Sequence, residues 1–166
     1  MRITVRQLTP ADQPHWRDLR LEALAEFPHV FRTTAEEQRR RAAADDRAQL
    51  AQGRWRGLFR SDRLIGIAAL VPNSYHASAH RFELSGFYVA AELWGTEAAQ
   101  NFIDILIADV RRKGGLQIEI NVASDNARAI RFYERNGFEK FGTRPRAILS
   151  EDVVLDEFFY VCMLDR

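Results

Sequence analysis

The chain has 166 residues, 46% hydrophobic and 28% charged; that composition excludes collagen-like and disordered assignments, and the length suits a single sizeable core. Its 24 basic and 23 acidic residues leave a net charge of +1, so no global field directs it to nucleic acid or to an anionic membrane. It begins Met-Arg-Ile-Thr-Val-Arg, with no apolar leader and no window of the ~18 apolar residues that a membrane span needs. Together with a lone cysteine, Cys162, which can close no internal disulfide, this gives the expectation of one cytoplasmic domain over residues 1–166.

Alternation from Ile3 to Leu8 predicts a strand, and Thr9-Pro10-Ala11-Asp12 follows with a capping threonine, a proline at the first helical position and an acid at the third. Trp16, Leu19, Ala23 and Phe27 recur at helical steps until Pro28 stops them. A second capping box, Thr34 with Glu37, predicts a helix from there to about Gln52. Three β segments come next, Trp55 to Arg60, Leu64 to Val71 and Arg81 to Val89, and are expected to form an antiparallel meander. Ala99, Phe102, Ile103, Leu106 and Val110 form an apolar helical stripe ending at Gly114-Gly115, and Ile118, Ile120 and Val122 then alternate as a strand. Strand, helix, strand implies a parallel crossover. A short helix over about Asn126 to Asn136, capped by Gly137, precedes two last strands near 138–143 and 155–164.

The segment Asn121 to Phe138 places Asn126, Ala129, Phe132, Tyr133, Gly137 and Phe138 in the spacing N-x-x-A-x-x-[FL]-Y-x-x-x-G-F. On these residues, and on the order of the elements, the chain resembles the GNAT superfamily of N-acetyltransferases over nearly its whole length. The resemblance implies an α/β fold, a central mixed and mostly antiparallel sheet flanked by helices, and acetyl-CoA as acyl donor. It further implies that Asn126 bonds the pantetheine and that Tyr133 lies near the thioester sulfur. A phenol of pKa about 10 is close enough in proton affinity to a thiol of about 8.5 to serve as the acid for the departing thiolate, although an aromatic in a short helix more often only packs.

The family's other signature, [QR]-x-x-G-x-[GA], cradles the pyrophosphate on backbone N–H groups at a helix start. The aligned residues are Trp94, Gly95, Thr96, Glu97, Ala98 and Ala99. Only Ala99 fits strictly. Glu97 stands in the glycine position, and facing inward at about 6 Å in an effective dielectric of about 20 it would cost on the order of 3 kcal/mol per phosphate charge. Facing outward it would leave the N–H groups available and favour the helix start. In the preceding strand Phe87, Tyr88 and Val89 are expected to offer backbone groups to pantetheine, with Gly86 marking a bulge.

An alkylammonium of pKa about 10.4 is neutral at pH 7 only about once in 2,500 molecules, a penalty near 4.6 kcal/mol, so a base is needed. The offset of Glu83 in its strand matches the base glutamate of histone-acetylating members, and a surface glutamate is the competing assignment. The acceptor is expected to be a primary amine of a small molecule or peptide. Phe27, Phe31, Tyr75, Arg144 and Arg146 are candidate liners of its site. The expected alternative is a fold-retaining binding or regulatory protein with impaired CoA binding, and a homodimer is compatible with either.

Other features carry less. His76 and His80 flank a Ser/Ala loop without a completing ligand set; no metal is expected. His15 and His29 have no motif around them, and Cys162 lies in an apolar strand suited to packing. Arg39-Arg40-Arg41 follow Glu36 and Glu37 at the spacing of helix-surface ion pairs, so no nucleic-acid partner is expected.

Overall fold

The computed structural model describes residues 3–28 and 30–166; His29 lies outside the described residues. The elements are β1 (Ile3–Gln7), α1 (Gln13–Glu26), α2 (Ala35–Arg40), α3 (Ala43–Ala51), β2 (Trp55–Arg60), β3 (Arg63–Pro72), β4 (Arg81–Val89), α4 (Ala98–Arg112), β5 (Gln117–Ala123), α5 (Ala127–Arg135), β6 (Glu139–Ser150) and β7 (Val153–Met163). The strands are ordered β1-β2-β3-β4-β5-β7-β6. The β4–β5 pair is parallel, whereas β1–β2, β2–β3, β5–β7 and β6–β7 are antiparallel, so the sheet is mixed and mostly antiparallel, as expected. Packing divides the chain into two compact units, Met1–Leu70 with Gly86–Leu106 and Val71–Ser85 with Ile107–Arg166.

In the first unit the alternation of β1 leads into a single 3-10 turn, Pro10–Asp12, closed by the Thr9 N–H donating to Asp12 Oδ2 at 2.8 Å. Arg6 grips the same carboxylate at 2.7 and 2.8 Å and, with the Thr9 bonds, holds Asp12 down at about 2. Trp16, Leu19 and Ala23 point inward from α1 into a core with Leu8, Leu50, Trp55, Ile67 and Tyr88, and Trp16 meets Trp55 edge to face at 5.1 Å.

The single helix expected from Thr34 to Gln52 is two helices. The Thr34–Glu37 capping box forms as expected, but Arg41 and Ala42 are extended. The break has a tertiary cause. The Arg17 guanidinium of α1 donates to the carbonyls of Gln38, Arg39 and Arg41 at 2.9–3.0 Å, taking the acceptors that a continuing helix would have used. Arg17 also binds Asp46, a fully buried carboxylate that accepts from Gln13, Gln38 and Arg41 as well. Of the expected surface pairs Glu36–Arg40 forms, while Arg41 turns to Asp46 and Glu37 caps the helix.

In the second unit Ile118, Ile120 and Val122 of β5 are buried, as are Tyr160 and Cys162 of β7, which are their register partners, Tyr160 with Ile120 and Cys162 with Ile118. Burial pushes the Cys162 thiol up, in keeping with a packing role. The last two strands are longer than the sequence suggests, because Ile148, Leu149 and Ser150 pair with Leu155, Val154 and Val153. Glu151 and Asp152 turn the corner at φ 47° and 67°, the paired left-handed geometry of a two-residue hairpin. Leu149 and Val153 are exposed there, so no inward-outward alternation betrayed the strand.

Candidate functional site

In the first unit β4 runs through Gly86 to Phe87, Tyr88 and Val89. Gly86 has φ 59°, and a Cβ there would come within 2.7 Å of the Trp55 ring. Only glycine meets both conditions, and a left-handed glycine is what a bulge of the expected kind uses. The Phe87 ring stacks on Phe102 at 5.2 Å. The Tyr88 side chain is buried and its hydroxyl donates to Glu22 Oε1 at 2.8 Å; burial and the neighbouring carboxylate lift that phenol well above its ordinary range. What Tyr88 can offer a ligand is therefore main chain alone.

Glu22 also accepts from the Ala91 N–H at 3.2 Å, tying α1 to the turn after β4. No motif announces this role; its only trace in the sequence is a place on α1 one residue before Ala23. At the other end of the turn Trp94, half-exposed, donates its indole Nε1–H to the Val89 carbonyl at 2.9 Å, and its ring lies 5.7 Å from Phe27. One of the carbonyls expected to face pantetheine thus already has a donor, leaving its second lone pair.

Gly95 has φ 79° and nothing within 4 Å of where a Cβ would sit, so the loop has room beside its backbone. The Thr96 N–H donates to Leu93 O, and the Thr96 hydroxyl both donates to Leu93 O at 2.6 Å and accepts from the Ala98 N–H at 3.2 Å. The Glu97 carbonyl takes the first helical bond, from Asn101 at 2.8 Å. The first-turn N–H of Ala99 is one of those a helix leaves unspent by its own geometry. Glu97 is exposed. A left-handed glycine with open space, followed by unspent donors at a helix start, fits a phosphate-bearing ligand.

In the second unit Asn126 caps α5, accepting from the Ala129 N–H at 3.2 Å on Oδ1; its side-chain NH2 is what it can present to a ligand. Gly137 follows the helix at φ 82°, the left-handed cap that the signature's glycine predicts. Tyr133 is buried, its ring 5.4 Å from Phe132 and 5.3 Å from Phe138, and desolvation alone raises its phenol far above the ordinary range.

Glu83 is exposed on β4, opposite Glu119 in the parallel register. Arg81 holds Glu119 in a fork at 2.7 and 2.9 Å, lowering that carboxyl. Arg81 is thus spent on Glu119, and among the described residues the Glu83 carboxylate has no ion pair or hydrogen-bond partner. Arg144 and Arg146 lie within β6 rather than in a loop. Arg144 pairs with the buried Glu157 at 2.8 Å; Arg146, at φ 52°, donates its N–H to Asp156. Tyr75 is 77% exposed. His76 opens a 3-10 turn and the His80 carbonyl accepts from Leu116; among the described residues no group of His, Cys, Asp and Glu could hold a metal. Among them also, no helix is long and apolar enough to cross a membrane.

With that geometry in hand, the acetyltransferase (GNAT) family profile matches residues 16–138. The chain belongs to this family, whose acyl donor is acetyl-CoA. Its fold is similar to that of yncA from Salmonella typhimurium, a candidate acetyltransferase solved with its cofactor acetyl-CoA, with a TM-score of 0.83 and 20% identity over 100% of this chain and 96% of that one. It is also similar to an N-acetyltransferase from Staphylococcus aureus (0.78, 20%, 99% of each chain). A ribosomal-protein-alanine N-acetyltransferase from Brucella melitensis is a third (0.75, 22%, 97% and 99%). No curated protein matches by sequence.

Proposed function

We propose that residues 1–166 form one catalytic domain that moves the acetyl group of acetyl-CoA to a primary amine by direct attack, without an acyl-enzyme, in the cytoplasm. The observation that carries this reading is the family match over residues 16–138, within which the signature residues Asn126, Tyr133 and Gly137 form a capped helix with the tyrosine buried inside it.

Acetyl-CoA supplies an activated acyl carbon. The N–H groups of Gly95, Glu97 and Ala99 and the positive end of α4 hold its diphosphate, the β4 main chain from Phe87 to Val89 pairs with its pantetheine, and the Asn126 NH2 donates to it. Glu83, exposed and unpaired, takes the proton of the attacking ammonium directly or through water. As the amide C–N bond forms and the C–S bond breaks, Tyr133 gives its proton to the leaving sulfur and is restored by the second proton that the new amide nitrogen sheds. Burial has raised the proton affinity of Tyr133, and dry surroundings move that of a leaving thiolate in the same direction.

A second reading rests on Glu97, which stands where the motif has glycine: a binding or regulatory protein with weakened turnover. Calorimetric titration with acetyl-CoA, followed by an amine screen for thiol release, separates the two. Micromolar binding with release sinks the second reading; no binding at millimolar acetyl-CoA sinks the first.

A further inference from the structure

Two hydrogen-bond donors on α1 are unmet. Trp16 Nε1 and Arg20 Nη1 are buried and have no hydrogen-bond partner. They stand four residues apart, on one face of the helix, and both side chains pack on Trp55, Trp16 edge to face and Arg20 with its guanidinium 5.5 Å from the ring centre. Phe31 lies 5.1 Å from the guanidinium as well. No carboxylate among the described residues pairs with Arg20. Burial first, and the like charge of Arg41 second, lower it to about 10.

Leaving a guanidinium nitrogen buried and unpaired, as Arg20 Nη1 is, is costly. Arg17, three residues earlier, has Asp46 and three carbonyls, so the fold does supply arginine partners where it needs them. Aromatic faces compensate Arg20 in part, but they leave the N–H edge of the fork unspent. An edge of paired N–H donors matches a planar carboxylate.

The position narrows the ligand further. A Cβ on Gly86 would lie 3.4 Å from Arg20 Nη1, so the guanidinium abuts β4 at its left-handed glycine. Gly86 precedes Val89 by three residues, roughly 10 Å along an extended strand, and the Gly95 loop lies beyond that. The donor's diphosphate, on the proposed reading, belongs to that loop. An anion at Arg20 therefore comes from the other reactant.

We propose that Arg20, seated between Phe31 and Trp55 against Gly86, binds the carboxylate of the acceptor, which makes the substrate a small amine that also carries a carboxylate, an α-amino acid or a close analogue. This rests on the acetyltransferase reading for the word acceptor, but not for the anion site itself.

Two measurements test it. In a thermal-shift titration without acetyl-CoA, each of the twenty α-amino acids is compared with its own amide; at least one acid is expected to raise Tm where its amide does not, and Arg20→Gln to abolish the difference. In the thiol-release assay the same acid is expected to have a KM at least tenfold below that of its amide, with Arg20→Gln raising KM for the acid tenfold or more while KM for acetyl-CoA is unchanged. Equal shifts for acid and amide across the panel in the unaltered protein overturn the anion site, whatever the variant does. An acid-specific shift with no acetyl transfer to any amine upholds the site and sinks the acetyltransferase reading instead. Acetyl transfer that treats acid and amide alike overturns the assignment of Arg20 to the acceptor.

Discussion

The indole N–H of Trp94 donates to the carbonyl of Val89 across 2.9 Å, so the residue that replaces the motif's Gln or Arg closes the turn between β4 and α4 onto the end of the strand. On the proposed reading this loop holds a diphosphate, and such a loop gains from being fixed before the ligand arrives. Trp94→Phe keeps an aromatic ring beside Phe27 and removes this bond. We expect KM for acetyl-CoA to rise about threefold to tenfold with kcat unchanged, an effect of about 1 kcal/mol, measured by steady-state thiol release.

Glu97 makes the opposite case. It is exposed at the start of α4, where an acid favours the helix dipole. Glu97→Gly is expected to leave KM for acetyl-CoA within about twofold and to cost roughly 0.3–1 kcal/mol of stability through the lost charge at the helix start, glycine itself being accepted at an N-cap. A KM that falls tenfold or more would place the carboxylate against the diphosphate and favour the weakened-binder reading.

Tyr133→Phe preserves the ring contacts with Phe132 and Phe138 and removes the proposed acid. Turnover should fall by about a hundredfold, with acetyl-CoA affinity by calorimetry unchanged. An undiminished kcat would take Tyr133 out of the chemistry.

The same phenol sets an alkaline limit. Its pKa is raised in the folded protein, so above the ordinary phenol value of about 10 the unfolded chain loses a proton that the folded chain keeps. The folded state then binds more protons, and stability falls as pH rises, by about 1.4 kcal/mol per unit from this group. Chemical denaturation between pH 10 and 12 should show a slope at least that steep, because Tyr88 and Tyr160 are raised in the same direction, and Tyr133→Phe should reduce it by about the share of one group.

Asp46 is the buried hub of the α1–α3 packing, binding Arg17, Gln13, Gln38 and Arg41. Asp46→Ala leaves the Arg17 guanidinium uncompensated and should cost about 3–5 kcal/mol, read as a lowered urea midpoint.

Much of this molecule was legible from local patterns. Short-range physics governs caps, alternation and turns, so Thr34 with Glu37, the bounds of β2 and β4, and the Asn126-to-Gly137 helix could all be read from spacing. The acyl-donor signature belongs to that class, because its geometry is built within a dozen consecutive residues. The break at Arg41 was not legible, since its cause is a guanidinium 24 positions earlier in the chain that takes the helix's carbonyls. The hairpin of β6 and β7 escaped for another reason: exposed apolar residues at its tip erase the alternation a half-buried strand would have.

By itself, then, the sequence determined the family and the elements, because helix caps, strand alternation and the Asn126–Phe138 spacing are local and survive without knowledge of what packs on what. Only the tertiary structure decided which charges are spent and which are left over. Arg17, Arg20, Arg81 and Arg144 read alike in the chain; folding gives Arg17, Arg81 and Arg144 carboxylate partners and sets Arg20 beside two aromatic rings with its Nη1 buried and unmet. Pairing depends on residues distant in sequence, and the cost of a buried charge exists only once water has been excluded.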